Sequence, residues 1–182
     1  MIYVACSNNN SPTAPSNPGP GAPTFTPTET ALCAPYYRFG KSVIGGTHGG
    51  GFATSNLFCN RFNLSASGTV YRLHAYLQSV PTPGAIIQGA LYSNGGSAPL
   101  SLLGQSVTQT AVTGWNTLDI PATILASGTY WLAVASNSGM SFASNGGSGT
   151  NTGFNSFNTT FSNNPSGGAT GEQISIYADY CP

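Results

Sequence analysis

The strongest constraint on the fold is a series of alternating apolar and polar runs, bounded by clusters of Gly, Pro, Ser and Asn. Alternation with a period of two is typical of β-strands, and from about residue 31 no helical period persists beyond two turns. The strand pattern recurs in segments 56–64, 70–78, 85–93, 102–112, 114–121, 128–136, 140–144 and 172–181. The sequence therefore predicts an all-β chain folded as an antiparallel jelly-roll β-sandwich of about eight strands.

Three of these segments predict which side chains face the core. In segment 70–78 the apolar side chains share one face and the polar ones the other: Tyr71, Leu73, Ala75 and Leu77 against Arg72, His74 and Tyr76. Segment 128–136 divides in the same way into Tyr130, Leu132 and Val134 against Trp131, Ala133 and Ala135. In the last segment, Ile174 and Ile176 are expected to point inward.

The first thirty residues differ in composition from the rest. Segment 7–30 is rich in Pro, Ser, Thr and Asn, and its prolines disfavour both a helix and a central strand. The preceding residues, MIYVAC, are apolar and rich in strand formers. We therefore expect an extended N-terminal strand and tether over residues 1–30 and a jelly-roll sandwich domain over residues 31–182.

Residues 144–171 form a Gly-, Asn-, Ser- and Thr-rich segment that carries Phe154, Phe157 and Phe161. The segment is expected to be a long loop, either a binding surface or a flap whose Phe rings cover the sandwich. Exposing three Phe side chains is costly, so the flap is the favoured interpretation.

The charge content is very low, at 4% of residues with zero net charge, against about 25% in an ordinary soluble protein. A chain without a basic patch is a poor partner for nucleic acid or anionic lipid. No apolar run reaches the ~18 residues of a membrane span. Near-zero net charge also removes a barrier to self-association.

The four cysteines, Cys6, Cys33, Cys59 and Cys181, are widely spaced and form no CxxC pair. A zinc site would need closer spacing and more His. Two disulfides, formed in an extracellular or cell- or virion-surface setting, are the expectation, with the pairing left open. Cys6 is also open to a bridge between subunits or to lipid attachment.

A resemblance to known modules lies in the middle of the chain, at ALYSNGGSAPLSLLGQS and GWNTLDIPATILASGTYWLAV. These stretches are similar to extracellular jelly-roll modules of phage tail fibres and of bacterial surface or filament proteins. The resemblance covers roughly residues 64–136 and rests on turn residues and core aromatics. It implies the fold and an extracellular setting, and it implies no catalytic residue.

Residues 45–52, GGTHGGGF, resemble the oxyanion loop of lipases and esterases. Such enzymes also need a G-x-S-x-G elbow between a strand and a helix, and the sequence contains neither the elbow nor the helices. A general base would have to be His48 or His74, and His74 is expected to be a solvated imidazole in mid-strand. A serine hydrolase is therefore not expected.

The four acidic residues, Glu29, Asp119, Glu172 and Asp179, supply no evident catalytic pair. Glu172 and Asp179 would lie on opposite faces of one strand, and glycoside hydrolysis needs two carboxylates brought together. A metal site built from His48, His74 and a carboxylate has no support from spacing. The sequence thus predicts a protein that is not an enzyme and has no cofactor or metal.

Three positions match the N-glycosylation acceptor pattern: Asn9, Asn63 and Asn158. An Asn- and Ser-rich chain produces such matches by chance, so each site is a hypothesis on its own.

Two functions agree with these features. The first is a structural subunit of an extracellular filament or surface appendage, which partners with itself. In such a filament, the strand carrying Ile2, Tyr3 and Val4 of one copy would add to the sheet edge of the next copy, head to tail. The alternative is a carbohydrate- or host-receptor-binding jelly-roll module, with glycans as the partner.

Overall fold

The computed structural model describes residues 33, 36–48, 56–146, 151–155, 160–165, 167–169 and 171–182. All regular secondary structure in these ranges is β-strand, which confirms the predicted all-β class. Within the same ranges there is no helix long and apolar enough to cross a membrane. The proposed subunit contacts Ile2, Tyr3 and Val4, together with Cys6, Asn9 and Asn158, lie outside the described residues.

The strands in chain order are β1 Tyr37–Gly40, β2 Thr47–His48, β3 Asn56–Leu64, β4 Gly68–Ser79, β5 Ile86–Asn94, β6 Pro99–Gln105, β7 Gln109–Thr110, β8 Gly114–Leu125, β9 Gly128–Ser136, β10 Ser141–Gly146, β11 Asn151–Asn155, β12 Gly167–Ala169, β13 Glu172–Ile174 and β14 Ile176–Cys181. They form two antiparallel sheets. In the first sheet β1, β14, β4 and β8 lie side by side, and β10 continues beside β4, carrying β2 and β13. The second sheet has the order β12-β11-β3-β9-β5-β6, with β7 also paired to β5.

The strand pairing is that of a jelly roll. The pair β1–β14 encloses β3–β9 in sequence, which encloses β4–β8, which encloses β5–β6. Nested pairs alternate between the two sheets, so the chain winds around the sandwich as one long folded hairpin. This topology confirms the predicted jelly-roll sandwich.

The core lies between the two sheets, and its members follow the predicted alternation. Leu73, Ala75 and Leu77 of β4 pack with Leu132 and Val134 of β9 in the main apolar cluster. The opposite side of β9 contributes to a second apolar cluster, on the outer face of the second sheet: Trp131, Ala133 and Ala135. Ile174 and Ile176 are fully buried, as expected.

Three expectations about the strands are wrong in detail. A bulge between Val70 and Arg72 places Val70 in the core and leaves Tyr71 half-buried. Segment 102–112 is two strands, because the Ser106 hydroxyl accepts the Gly89 N–H in place of a backbone carbonyl. Segment 172–181 divides at Ser175, which bonds the backbone of β10 through its N–H and of β4 through its carbonyl.

Segment 144–171 is not wholly a loop, because it contains β11 and β12. The strand β11 pairs with β3, so its strand conformation comes from an available sheet edge rather than from sequence alternation. The flap interpretation is confirmed for Phe161, which is buried in the second apolar cluster and whose N–H donates to Gln105 Oε1 at 2.9 Å. The side chain of Phe154 and the whole of Phe157 lie outside the description.

A disulfide joins Cys33 to Cys181, which are 148 positions apart in sequence and have Cα atoms 5.7 Å apart. Cys59 on β3 instead carries a free thiol and is fully buried beside Leu57 and Trp131. The expectation that every cysteine is paired is therefore wrong for Cys59. Its side chain points into an apolar cluster, and burial raises the pKa of the thiol well above its usual value.

Candidate ligand-binding face

The outward side chains of β1, β14, β4 and β8 form one continuous surface, called here the polar face: Arg38, Tyr177, Asp179, Arg72, His74, Tyr76, Trp115, Thr117 and Asp119. Because successive strand residues alternate, the burial of Leu73 and Ala75 in the core directs the neighbouring side chains of β4 outward. The same rule applies to β8, where Leu118 and Ile120 are the core residues. This face carries cationic, anionic, imidazole, hydroxyl and aromatic groups.

An ionic row crosses the polar face at right angles to the strands. Its four members are cross-strand neighbours in the order Arg38, Asp179, Arg72 and Asp119. The row contains two of the chain's four basic residues and two of its four acidic residues. Positive and negative groups thus alternate over four strands. Opposite charges at directly facing positions of neighbouring strands stabilise a sheet.

Asp179 is the centre of the row, and its side chain is only 8% exposed. Its Oδ1 atom accepts from Arg38 Nε at 3.2 Å, and its Oδ2 atom lies 2.8 Å from His74 Nε2. Burying a carboxylate is costly unless such partners satisfy its oxygens. The strand pattern predicts Asp179 on the last strand, but nothing local in the sequence indicates this contact with His74.

His74 is held on three sides rather than solvated, which corrects the expectation from its mid-strand position. Its ring stacks on Tyr177 at 4.5 Å, and its Nδ1 atom lies 3.2 Å from the Thr117 hydroxyl. Burial lowers the pKa of His74, and the hydrogen bond and charge of Asp179 oppose that effect in part. The neutral ring then carries its proton on Nε2 toward Asp179 and accepts from Thr117 at Nδ1.

Three aromatic rings border the ionic row. Trp115 makes edge-to-face contacts with Tyr76, at 5.3 Å between ring centroids, and with Tyr177, at 5.0 Å. The Arg38 guanidinium lies 4.8 Å from the centroid of the Tyr177 ring. Burial raises the pKa of Tyr177, so its phenol is neutral at physiological pH. The rings brace one another, so little side-chain entropy remains to be lost on binding a ligand.

The rim of the face at β8 presents unused hydrogen-bonding groups. Asp119 is 72% exposed, and its Oδ1 atom accepts from Arg72 Nε at 2.9 Å. Within the described residues, the second oxygen of Asp119 and the terminal nitrogens of Arg72 have no protein hydrogen-bond partner. Trp115 lies four residues before Asp119 on the same strand and the same face. Donors, an acceptor and aromatic rings are thus combined on a rigid support.

Groups that carry catalytic or metal chemistry are only partly brought together. Thr117, His74 and Asp179 form a hydroxyl–imidazole–carboxylate chain, but they lie on an open sheet without a strand-to-helix elbow. Arg72 stands between Asp119 and Asp179 in the row. Among the described residues, no three His, Cys, Asp or Glu side chains are grouped to hold a metal ion.

The remaining predicted site residues lie elsewhere. The backbone of His48 pairs with Ala143 on β10, and the structure does not describe its side chain. Glu172 lies on β13 and Asp179 on β14, because Ser175 interrupts the predicted strand. Asn63 is exposed on β3, where glycosylation stays a prediction.

Comparisons with known proteins supply no relative. No family model matches the chain, and no curated protein and no solved structure matches it. The resemblance to modules of phage tail fibres and bacterial surface proteins therefore stays a prediction.

Proposed function

We propose that the protein is a non-enzymatic carbohydrate-binding module whose ligand lies on the polar face. The observation that carries the proposal is the placement of two pairs on one face, the aromatic pair Trp115 and Tyr76 and the pair Arg72 and Asp119, four residues apart along β4 and β8. A sugar ring has apolar C–H faces and a rim of hydroxyls. Aromatic rings remove those C–H faces from water, while charged hydrogen-bonding groups replace the water around the hydroxyls.

The support under these groups also favours a binding function. The contact of His74 with Asp179 ties β4 to β14, and the contact of Thr117 with His74 ties β8 to β4. A binding surface fixed by regular strands loses little conformational freedom when a ligand is bound. The Cys33–Cys181 disulfide is consistent with an oxidising, extracellular environment, where a glycan-binding module would meet its ligand.

A glycan array probed with labelled protein tests the proposal, followed by affinity measurement on the best glycan. Trp115→Ala should weaken binding at least tenfold, which corresponds to about 1.4 kcal/mol. Tyr37→Ala is the matched control, since Tyr37 is an exposed aromatic residue outside the polar face, and it should bind like wild type. Binding to no glycan, or equal loss in both variants, would contradict the proposal.

A second candidate function is the filament subunit, favoured by the free edge of β8. Within the described residues this twelve-residue strand pairs with β4 alone, and it carries the exposed side chain Ile124. An edge of this kind can accept an added strand from another copy. Electron microscopy of the full chain should then show polymers, and deletion of residues 1–30 should abolish them. Normal polymers of the truncated protein would contradict strand donation.

A further inference from the structure

Resting on the proposed function, we infer that the ligand is an uncharged glycan, and that Arg72 and Asp119 select it by binding a pair of neighbouring hydroxyls. The first step is the charge balance of the polar face. Its row contains two Arg and two Asp in alternation, so every guanidinium stands beside a carboxylate. His74 adds no charge near pH 7, because burial lowers its pKa.

An anionic ligand would need a guanidinium whose charge is not already balanced by a carboxylate, and neither Arg on the face offers one. Arg38 donates to Asp179 and lies over the Tyr177 ring. Arg72 donates to Asp119, whose carboxylate is 72% exposed at the rim where the ligand would approach. A ligand carboxylate or sulfate would meet that exposed carboxylate and be repelled by it.

Two hydroxyls on adjacent sugar carbons fit the pair better. A hydroxyl both donates and accepts, so one can donate to the second oxygen of Asp119 while its neighbour accepts from a terminal nitrogen of Arg72. The salt bridge between Arg72 and Asp119 remains intact in this arrangement. Since no charge is neutralised on binding, the affinity should depend little on ionic strength.

The test uses matched ligands, namely neutral oligosaccharides from the array and their counterparts in which the C6 hydroxyl is oxidised to a carboxylate. Isothermal titration calorimetry should give affinities for the uronate forms that are weaker by about tenfold or more. Affinity for the neutral form should stay within about twofold between low and high NaCl concentrations.

Two variants separate selection by Asp119 from a general charge effect. Asp119→Asn removes the exposed carboxylate while keeping its shape, and it should reduce the discrimination against the uronate several-fold. Arg61→Gln changes the net charge at an exposed residue on β3, outside the polar face, and should leave the discrimination unchanged.

The outcomes distinguish the inference from the proposed function. Preference for the uronate form, a steep fall of affinity with salt, or unchanged discrimination in Asp119→Asn would overturn the inference while leaving carbohydrate binding in place. Binding of neither form by the chain of 182 residues would overturn both.

Discussion

The Nε2 atom of His74 lies 2.8 Å from the Oδ2 atom of Asp179, in the middle of the polar face. The two residues come from β4 and β14, which are neighbours only because the jelly roll brings the last strand beside the fourth. Both side chains are largely buried, at 12% and 8% exposure. This contact joins the ionic row to the aromatic rings, and it makes the face sensitive to the protonation of one imidazole.

The stability of the protein should fall on mild acidification because of His74. Burial lowers the pKa of His74 from its usual 6.5, so the unfolded chain takes up this proton at a higher pH than the folded protein does. The stabilisation is fully present above pH 6.5 and is lost as the pH falls through the lowered value. Urea denaturation at a series of pH values from 7.5 down to 5 measures the effect. In His74→Gln the decline should be smaller, and an identical decline would contradict this role.

The two carboxylates of the row should differ in their contribution to stability. Asp179→Asn weakens two contacts of a buried carboxylate, and we expect a loss of about 1–3 kcal/mol in the free energy of unfolding. Asp119→Asn is the matched control, because that carboxylate is 72% exposed, and its loss should be about 0–1 kcal/mol. Chemical denaturation of both variants provides the comparison. Equal losses would show that the buried contacts of Asp179 contribute no more to stability than the exposed contact of Asp119.

Sequence alternation predicts the long strands well and the short ones poorly. Strands β3 and β9 have the predicted bounds, since each is an alternating run enclosed by turn residues. Strands β1, β2, β11 and β12 are no longer than five residues, too short for alternation to mark them, and form because a neighbouring edge is available. Their formation depends on tertiary pairing, which local periodicity does not contain.

The candidate site was predictable only as isolated pieces. Alternation places Arg72, His74 and Tyr76 together on the outer face of β4, as predicted. Strand order decides what lies beside them, and nothing local indicates that β14 would pair with β4. The interruption at Ser175 also means that Glu172 and Asp179 belong to different strands, so alternation along one strand does not decide which faces they share.

The cysteines should separate into two classes by chemical labelling. Cys59 is fully buried, and burial raises the pKa of its thiol, so alkylation should occur only after unfolding. Cys33 and Cys181 should be labelled only after unfolding and reduction, because they are joined. Peptide mass mapping of alkylated protein distinguishes the three sites. Rapid labelling of Cys59 in the native protein, or its recovery in a disulfide, would contradict the structure.

A side chain at Gly89 on β5 should crowd the packed core. A Cβ atom at this position would lie 2.9 Å from Leu118 Cδ1 and 3.1 Å from Leu73 Cδ1, inside the packed core. We expect Gly89→Ala to lower the free energy of unfolding by about 1–3 kcal/mol through overpacking. Gly146→Ala is the control, because a Cβ there meets nothing within 4 Å, and its effect should stay within about 0.5 kcal/mol. Equal stability of the two variants would argue against this packing.

The chain's two tryptophans provide the most direct test of ligand binding on the polar face. Trp115 lies on that face, whereas Trp131 is buried in the second apolar cluster, on the outer face of the second sheet, and its Nε1 donates to Asn94 Oδ1 at 3.0 Å. Titration of ¹⁵N-labelled protein with a neutral oligosaccharide from the array, followed by NMR, should shift the indole N–H signal of Trp115 and the amide signals of β4, β8 and β14. The Trp131 indole signal should stay in place. Shifts at Trp131 and β5 with none at Trp115, or no shifts at saturating glycan, would contradict the proposed binding face.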